Sequence, residues 1–207
     1  MKVLFVVCTL ALFFMMPSTA WASTEAQYST DGGTNWTNST FKDAFGVLNN
    51  SANGGTIKLL TDVTWNPKVY NDEQIRKNIT ILSGNGARKI QRGPDASRAI
   101  AMFRIDNTYT LTLGREGGMG QGNTLIIDGG AVWTGDVDST LNRGTTNSGL
   151  LGSSMVNLNG SGGTFNMYEG VTLQNNDGTE GAVSLGTSTT FNMYGGEIKN
   201  ISKTNTY

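Results

Sequence analysis

Four carboxylates and two tyrosines are the side chains whose types and spacing could do chemistry. Asp136 and Asp138 follow Thr124 at nearly the spacing at which Asp177 and Glu180 follow Thr164. Because Thr124 and Thr164 open segments of the same shape, the four acids align in one expected row of stacked turns, with Arg143 close by. Such a row could hold calcium, which takes 6 to 8 oxygen ligands. A carboxylate pair about 6.5–9.5 Å apart would instead suit inverting cleavage of a glycosidic bond. The plainer reading is that Asp and Glu in turns are solvated and cap the local backbone. No motif selects one acid or base, so no catalytic residue is assigned. The second constellation is Asn166 and Tyr168 with Asn192 and Tyr194, extended upstream to Asp128. If these side chains line one outer face, their rings could stack on sugar faces and their amides could supply donors and acceptors. The plainer alternative is a ladder that only stabilises stacked strands.

Composition narrows the classes. The chain has no histidine, so the side chain best suited to proton transfer near neutral pH, and the commonest metal ligand, is missing. The net charge of -1, from 15 basic and 16 acidic residues, provides no basic stripe to neutralise phosphates, and no nucleic-acid partner is expected. Abundant Gly, Asn, Ser and Thr with three prolines describe a turn-rich β protein.

The first residues read as an export signal. Lys2 precedes an apolar run from Val3 to Met16, then Pro17 and the small-residue exit Ala20-Trp21-Ala22. That run is shorter than the ~20 residues a membrane span needs, so cleavage near Ala22 is expected and no membrane span in the mature chain. Cys8 lies inside the apolar run, and its removal leaves an exported chain with no thiol. Secretion or display at a cell surface follows. Sequons begin at Asn35, Asn38, Asn49, Asn78, Asn159 and Asn200 but carry little weight in a bacterial host.

The elements that must position the candidate residues are short. Thr40-Phe41-Lys42-Asp43 looks like a capping box, and Phe41, Ala44, Phe45 and Leu48 share a helical face, which predicts one helix over 40–49. From Thr56 the period becomes two, with strands expected at 56–60, 78–82, 109–113 and 124–128. The run Gly114 to Gly122 lacks the Lys-Ser/Thr of a phosphate loop and reads as a flexible connection. Trp65 and Trp133 read as partly buried or corner residues.

Self-similarity decides the architecture. Thr164-Phe165-Asn166-Met167-Tyr168 recurs as Thr190-Phe191-Asn192-Met193-Tyr194, and Val156-Asn157-Leu158 corresponds to Val183-Ser184-Leu185 at almost the same offset. Two elements shifting together imply one whole coil of a solenoid. Alternation then points Phe165, Met167, Phe191 and Met193 inward and the Asn and Tyr side chains outward. Leu173 and Ile198 also point inward if Val171 is a one-residue insertion, and Val183 and Leu185 complete the expected core.

The phrase Phe191-Asn-Met-Tyr-Gly-Gly-Glu-Ile-Lys-Asn200, preceded by Gly181-Ala-Val-Ser-Leu185, resembles the parallel β-helix repeats of large cell-surface proteins of Gram-positive bacteria. Gly54 to Thr64 after a short helix is similar to their usual opening. The resemblance covers about Phe41 to Asn200. It implies the pectate-lyase-like right-handed fold and an adhesin-like role; extracellular or host glycans are the partners that the outward tyrosines and asparagines would suit. The expected fold class is all-β, a right-handed parallel β-helix of about six coils with one short N-terminal capping helix. The expected divisions are a signal peptide at 1–22, a lead-in segment and capping helix at 23–55, and the β-helix at 56–207, truncated at its C-terminal end. The chain stops at Tyr207 with no cap on the last coil, so self-association through that coil is a further expectation. A polysaccharide lyase or glycoside hydrolase is the enzyme alternative, since such enzymes share the implied fold, and a structural spacer is the third reading. No cofactor is expected, calcium excepted.

Overall fold

A computed structural model describes residues 24–67, 73–93, 100–131, 153–178 and 180–203. It begins with an antiparallel hairpin, β1 (Ala26–Ser29) and β2 (Thr37–Ser39), followed by the helix α1 (Phe41–Asn50). The Thr40 hydroxyl accepts the Asp43 N–H and so satisfies one of the orphan donors of the first turn. Phe41, Ala44, Phe45 and Leu48 form the buried face, as their spacing predicts. That face meets Trp65, whose ring lies edge-on to Phe41 at 5.4 Å and 5.4 Å from Phe45. Trp65 is buried, and its indole N–H donates to the carbonyl of Met102.

After α1 the chain visits three sheets in rotation. An opening circuit holds β3 (Gly55–Leu59) and β4 (Val63–Trp65). The next circuit holds β5 (Gln74–Ile75), β6 (Ile79–Ser83) and β7 (Ala87–Arg92), and the one after it β8 (Phe103–Ile105), β9 (Thr110–Leu113) and β10 (Thr124–Asp128). Then come β11 (Val156–Leu158), β12 (Thr164–Met167) and β13 (Val171–Gly178), and finally β14 (Val183–Leu185), β15 (Thr190–Met193) and β16 (Glu197–Lys203). The sheet orders are β15-β12-β9-β6-β3-β1-β2, β16-β13-β10-β7-β4 and β14-β11-β8-β5. Every pairing after β3 is parallel, so the protein is mainly β and solenoid-like, with each strand bonded to its counterpart one circuit away. The described residues hold four three-strand circuits and the two-strand opening one, fewer than the six coils expected.

Register builds the core. One inward column runs Ile57, Ile81, Leu113, Met167, Met193, and a second runs Ile79, Leu111, Phe165, Phe191. The middle sheet contributes Val63, Ile90, Ile127, Leu173 and Ile198. Burying each such side chain contributes about 1.5–3 kcal/mol, which lets a chain without disulfides hold such short strands together. The expected match of Val156 with Val183 appears in the pairing. So does the slip at Val171, since Met167 meets Met193 while Leu173 meets Ile198.

Two expectations are corrected. Leu185 and Met193 point along the core columns but are 55% and 48% exposed, because among the described residues no strand lies beyond β14 and β15. Phe191, Val183 and Ile198 are partly buried for the same reason. Thr124–Asp128 is not the upstream copy of Thr164–Met167. It pairs with Val171–Gln174 in another sheet, and the true upstream neighbour of Thr164 is Thr110. An alternating apolar run suits any inward face, so shape alone could not assign it to a sheet.

Candidate ligand-binding cleft

Each sheet ends its strand at a corner, and the site forms where β9, β12 and β15 reach theirs. Tyr168 and Tyr194 follow β12 and β15 directly, so register places one above the other. Their ring centroids are 4.7 Å apart with planes at 20°. Coplanar neighbours could not come so close, so the rings overlap face on face in an offset stack. Tyr194 is 62% exposed and Tyr168 half-buried. The expected outer face of rings open to sugars is thereby modified. Each ring covers part of the other's face, leaving the outer face of Tyr194 and the edges of both rings to solvent.

The position below Tyr168 is Gly114, with φ 77, and a Cβ there would lie 3.1 Å from the Tyr168 Cβ and 3.0 Å from Val171 Cγ2. Only a residue without a side chain lets the backbone turn off there, into the connection before β10. That glycine-rich connection is held in shape by Arg115, whose Nε donates to the Gly118 carbonyl. It forms one wall of an open cleft of about 550 Å³ lined by Arg115, Glu116, Gly117, Gly118, Tyr168, Glu169 and Tyr194. Since Tyr194 and the Arg115–Gly118 wall belong to circuits on either side of Tyr168, the cleft must run along the ring edges. It gathers an aromatic flank, one guanidinium and two carboxylates.

Asn166 and Asn192 make a ladder beside it. The Asn192 amide donates to Asn166 Oδ1 at 2.9 Å, and the Asn166 amide reaches Thr112 Oγ1 at 3.5 Å. The Asn192 amide and the Asn166 carbonyl oxygen are thus engaged with each other, and the Asn166 amide with Thr112. Asn166, Tyr168, Asn192 and Tyr194 are thus brought together as expected, with the Asn pair structural and the Tyr pair bordering open space. Asp128 does not join them. It sits in β10, buried, accepting from Gly130 N–H, Gln174 Nε2 and Asn175 Nδ2.

The carboxylate row fares differently. Asp136 and Asp138, with Arg143, lie outside the described residues, as do Trp133 and the signal segment. The alignment that placed these acids beside the other two rested on the match of Thr124 with Thr164, which the register overturns. Asp177 is buried within β13, paired with Ser202, and is not a solvent-facing turn residue. Glu180 is exposed, and its Oε2 accepts from Ser153 Oγ, Ser154 Oγ and Asn157 Nδ2 at 3.1–3.4 Å. Among the described residues no group of three His, Cys, Asp or Glu side chains is placed to hold a metal ion.

Sequence reasoning missed the cleft's second wall. Arg115 and Glu116 are far from Tyr168 along the chain, and only the register of β9 on β12 joins them. No family model, no curated protein and no solved structure matches this chain.

Proposed function

We propose that the chain is a secreted or cell-surface binding module built on a right-handed parallel β-helix, and that it recognises carbohydrate in the cleft beside Tyr168 and Tyr194. The observation that carries this reading is the stacked tyrosine pair facing the Arg115–Gly118 wall across open space. Sugars combine apolar C–H faces with dense hydroxyls. A tyrosine edge with its phenol, a guanidinium and carboxylates meets both needs, since aromatic carbon packs on the one and charged groups bond the other. The three sheets visited in rotation, with parallel pairing throughout the circuits, support the β-helix, whose rigid stack would hold such a cleft in a fixed shape. The leader-like segment from Met1 to Ala22 supports export, and glycans are abundant outside cells.

The deciding experiment is a glycan-array screen of the chain with and without calcium, followed by analysis of bound glycans for cleavage. Binding without cleavage that is lost in Tyr168→Ala and Tyr194→Ala supports the proposal. Cleavage of a bound glycan overturns it in favour of a lyase or hydrolase, and absence of any binding leaves a spacer role in its place.

A further inference from the structure

The sheet that holds β3, β6, β9, β12 and β15 turns to solvent a face unlike those of the other two. With Ile57, Ile81, Leu113, Met167 and Met193 inward, the alternate residues face out, and register sets them in rows across the strands. One row is Thr56, Thr80, Thr112, Asn166 and Asn192. A second, two residues earlier on the last three strands, is Thr110, Thr164 and Thr190. These eight positions hold six threonines and two asparagines, with no charge and no aromatic ring. The outward rows of the other sheets carry Lys89, Glu197, Lys199 and Arg104. Lys58 follows Thr56 on the same face, but its ammonium sits over the Trp36 ring at 3.6 Å.

Repetition across parallel strands makes these rows a lattice. Neighbours within a row are ~4.8 Å apart, and the rows lie about 6.6 Å apart along the strands. Branching at Cβ leaves threonine few choices of χ1, so equivalent hydroxyls and methyls fall at equivalent places. The Asn192 amide donates to Asn166 Oδ1 at 2.9 Å and the Asn166 amide to Thr112 Oγ1 at 3.5 Å, which ties three strands of the first row together. Among the described residues nothing hydrogen-bonds the hydroxyls of Thr56, Thr80, Thr110, Thr164 or Thr190. Each of these hydroxyls keeps its donor and its acceptors for water. An ammonium or carboxylate would hold a tight hydration shell of its own and resist giving it up, and these rows have none.

We propose that this face binds the surface of ice. That partner is a neutral lattice of donors and acceptors, which an uncharged, regularly spaced array matches and a charged one does not. The strand-to-strand interval lies close to the shortest lattice repeat of hexagonal ice, so waters held by successive threonines continue the crystal. Each water-mediated contact is weak, and rigid rows engage many at once. A crystalline polysaccharide is another periodic neutral surface, but sugar faces call for aromatic rings, and Tyr168 and Tyr194 stand at the corner beside these rows. The face is separate from the proposed glycan cleft and does not rest on it.

Ice-affinity partitioning of the chain, expressed from its full-length sequence, tests this, with crystal habit watched in an osmometer. The expected result is enrichment of the protein in slowly grown ice and faceting of single crystals. Thr164→Lys and Thr190→Lys each place a charge in the second row, and each should lower the retained fraction to that of an inert protein. Thr172→Lys makes the same exchange on an outward row of the neighbouring sheet and should be retained as wild type is. Thr190 is exposed and Thr164 and Thr172 half-buried on outer faces, so circular dichroism is expected to show a wild-type fold, at Thr190→Lys above all. Exclusion of the wild type from ice overturns the proposal, as does retention of folded Thr190→Lys at the wild-type level. Adsorption to crystalline cellulose or chitin in place of ice, lost in Thr190→Lys, overturns it in favour of a polysaccharide surface.

Discussion

The ring of Phe191 lies over that of Phe165 with centroids 4.9 Å apart and planes only 9° from parallel. That spacing is the strand-to-strand distance of a β-sheet, so the rings are stacked by the backbone register itself. The two are not equivalent, since Phe165 is fully buried and Phe191 only partly. Phe165→Ala should cost about 3–5 kcal/mol and Phe191→Ala roughly half as much. Phe191→Asp should unfold the last circuit and leave the earlier ones standing, because stability in a stack is local to neighbouring turns. Urea titrations with hydrogen exchange on the separate circuits check both statements. Equal losses at the two positions would show that a further layer covers Phe191.

Under the proposed glycan binding, the tyrosine pair separates stability from recognition. Tyr194 is largely exposed, so Tyr194→Ala should lower the melting temperature little while weakening glycan affinity roughly 3- to 10-fold, the loss of one aromatic contact. Tyr168→Ala should weaken binding at least as much and also destabilise, because its ring is partly buried beneath Tyr194. Calorimetric titration beside thermal melts distinguishes the two effects.

How far the fold can be read from the sequence depends on strand length and on repetition. Thr164–Tyr168 and Thr190–Tyr194 are identical at every position, which carries both the register and the inward choice of Phe and Met. In the remaining sheet only Val156–Leu158 and Val183–Leu185 are legible, through the repeat, whereas Gln74–Ile75 and Phe103–Ile105 are not, since strands so short cannot show a period of two. Thr124–Asp128 is visible as a strand but misassigned. The step along the chain from Thr110 in β9 to Thr164 in β12 is far longer than the step from Thr164 to Thr190, and this hides the repeat. The cleft is half legible: the tyrosines announce themselves by repetition, whereas Arg115 and Glu116 belong to no repeat and meet them only through the fold.

Asp31 gives a pH-dependent handle on the N-terminal hairpin. Its carboxylate is held well below the ordinary range, first by the Asn35 backbone N–H and then by the Ser29 hydroxyl and the Asn35 amide. These bonds shape the loop that places Trp36, over whose ring the Lys58 ammonium sits at 3.6 Å. A depressed carboxylate contributes stability that is present above its unfolded value near 3.8 and is lost as pH falls through the lower folded value. Wild type should therefore be more stable than Asp31→Asn at pH 7, and the difference should shrink steadily below about pH 4. A constant difference down to about pH 2 would mean the loop does not depend on the charge.

Arg92 is a charged side chain at a core position of the stack. It pairs with Trp65, two positions beyond the apolar match of Val63 with Ile90, so alternation turns its side chain inward. Only 2% of it is exposed, and burial pushes its guanidinium down to about 10, which still leaves it charged at neutral pH. A buried charge is tolerated only where hydrogen bonds replace water. Here Nη1 donates to the Ile100 carbonyl, and Nη2 reaches the carbonyls of Ser153 and Ser154. Those residues lead into β8 and β11, so one side chain fastens the corner where two successive circuits begin. Asn176 assists from β13, its amide donating to Ser153 O and Gly181 O. Arg92→Met fills similar space without the donors and takes the side-chain donor from the Ile100 and Ser154 carbonyls, leaving Ser153 O to Asn176, which should cost about 2–4 kcal/mol. Arg92→Lys keeps the charge but not the planar fork that reaches both circuits, and its stability should fall between that of Arg92→Met and wild type. Hydrogen exchange near residues 100–105 and 154–158 should accelerate in Arg92→Met before it does in β6 or β9. Uniform acceleration across all circuits would place the role of Arg92 in general core packing and not in the corner.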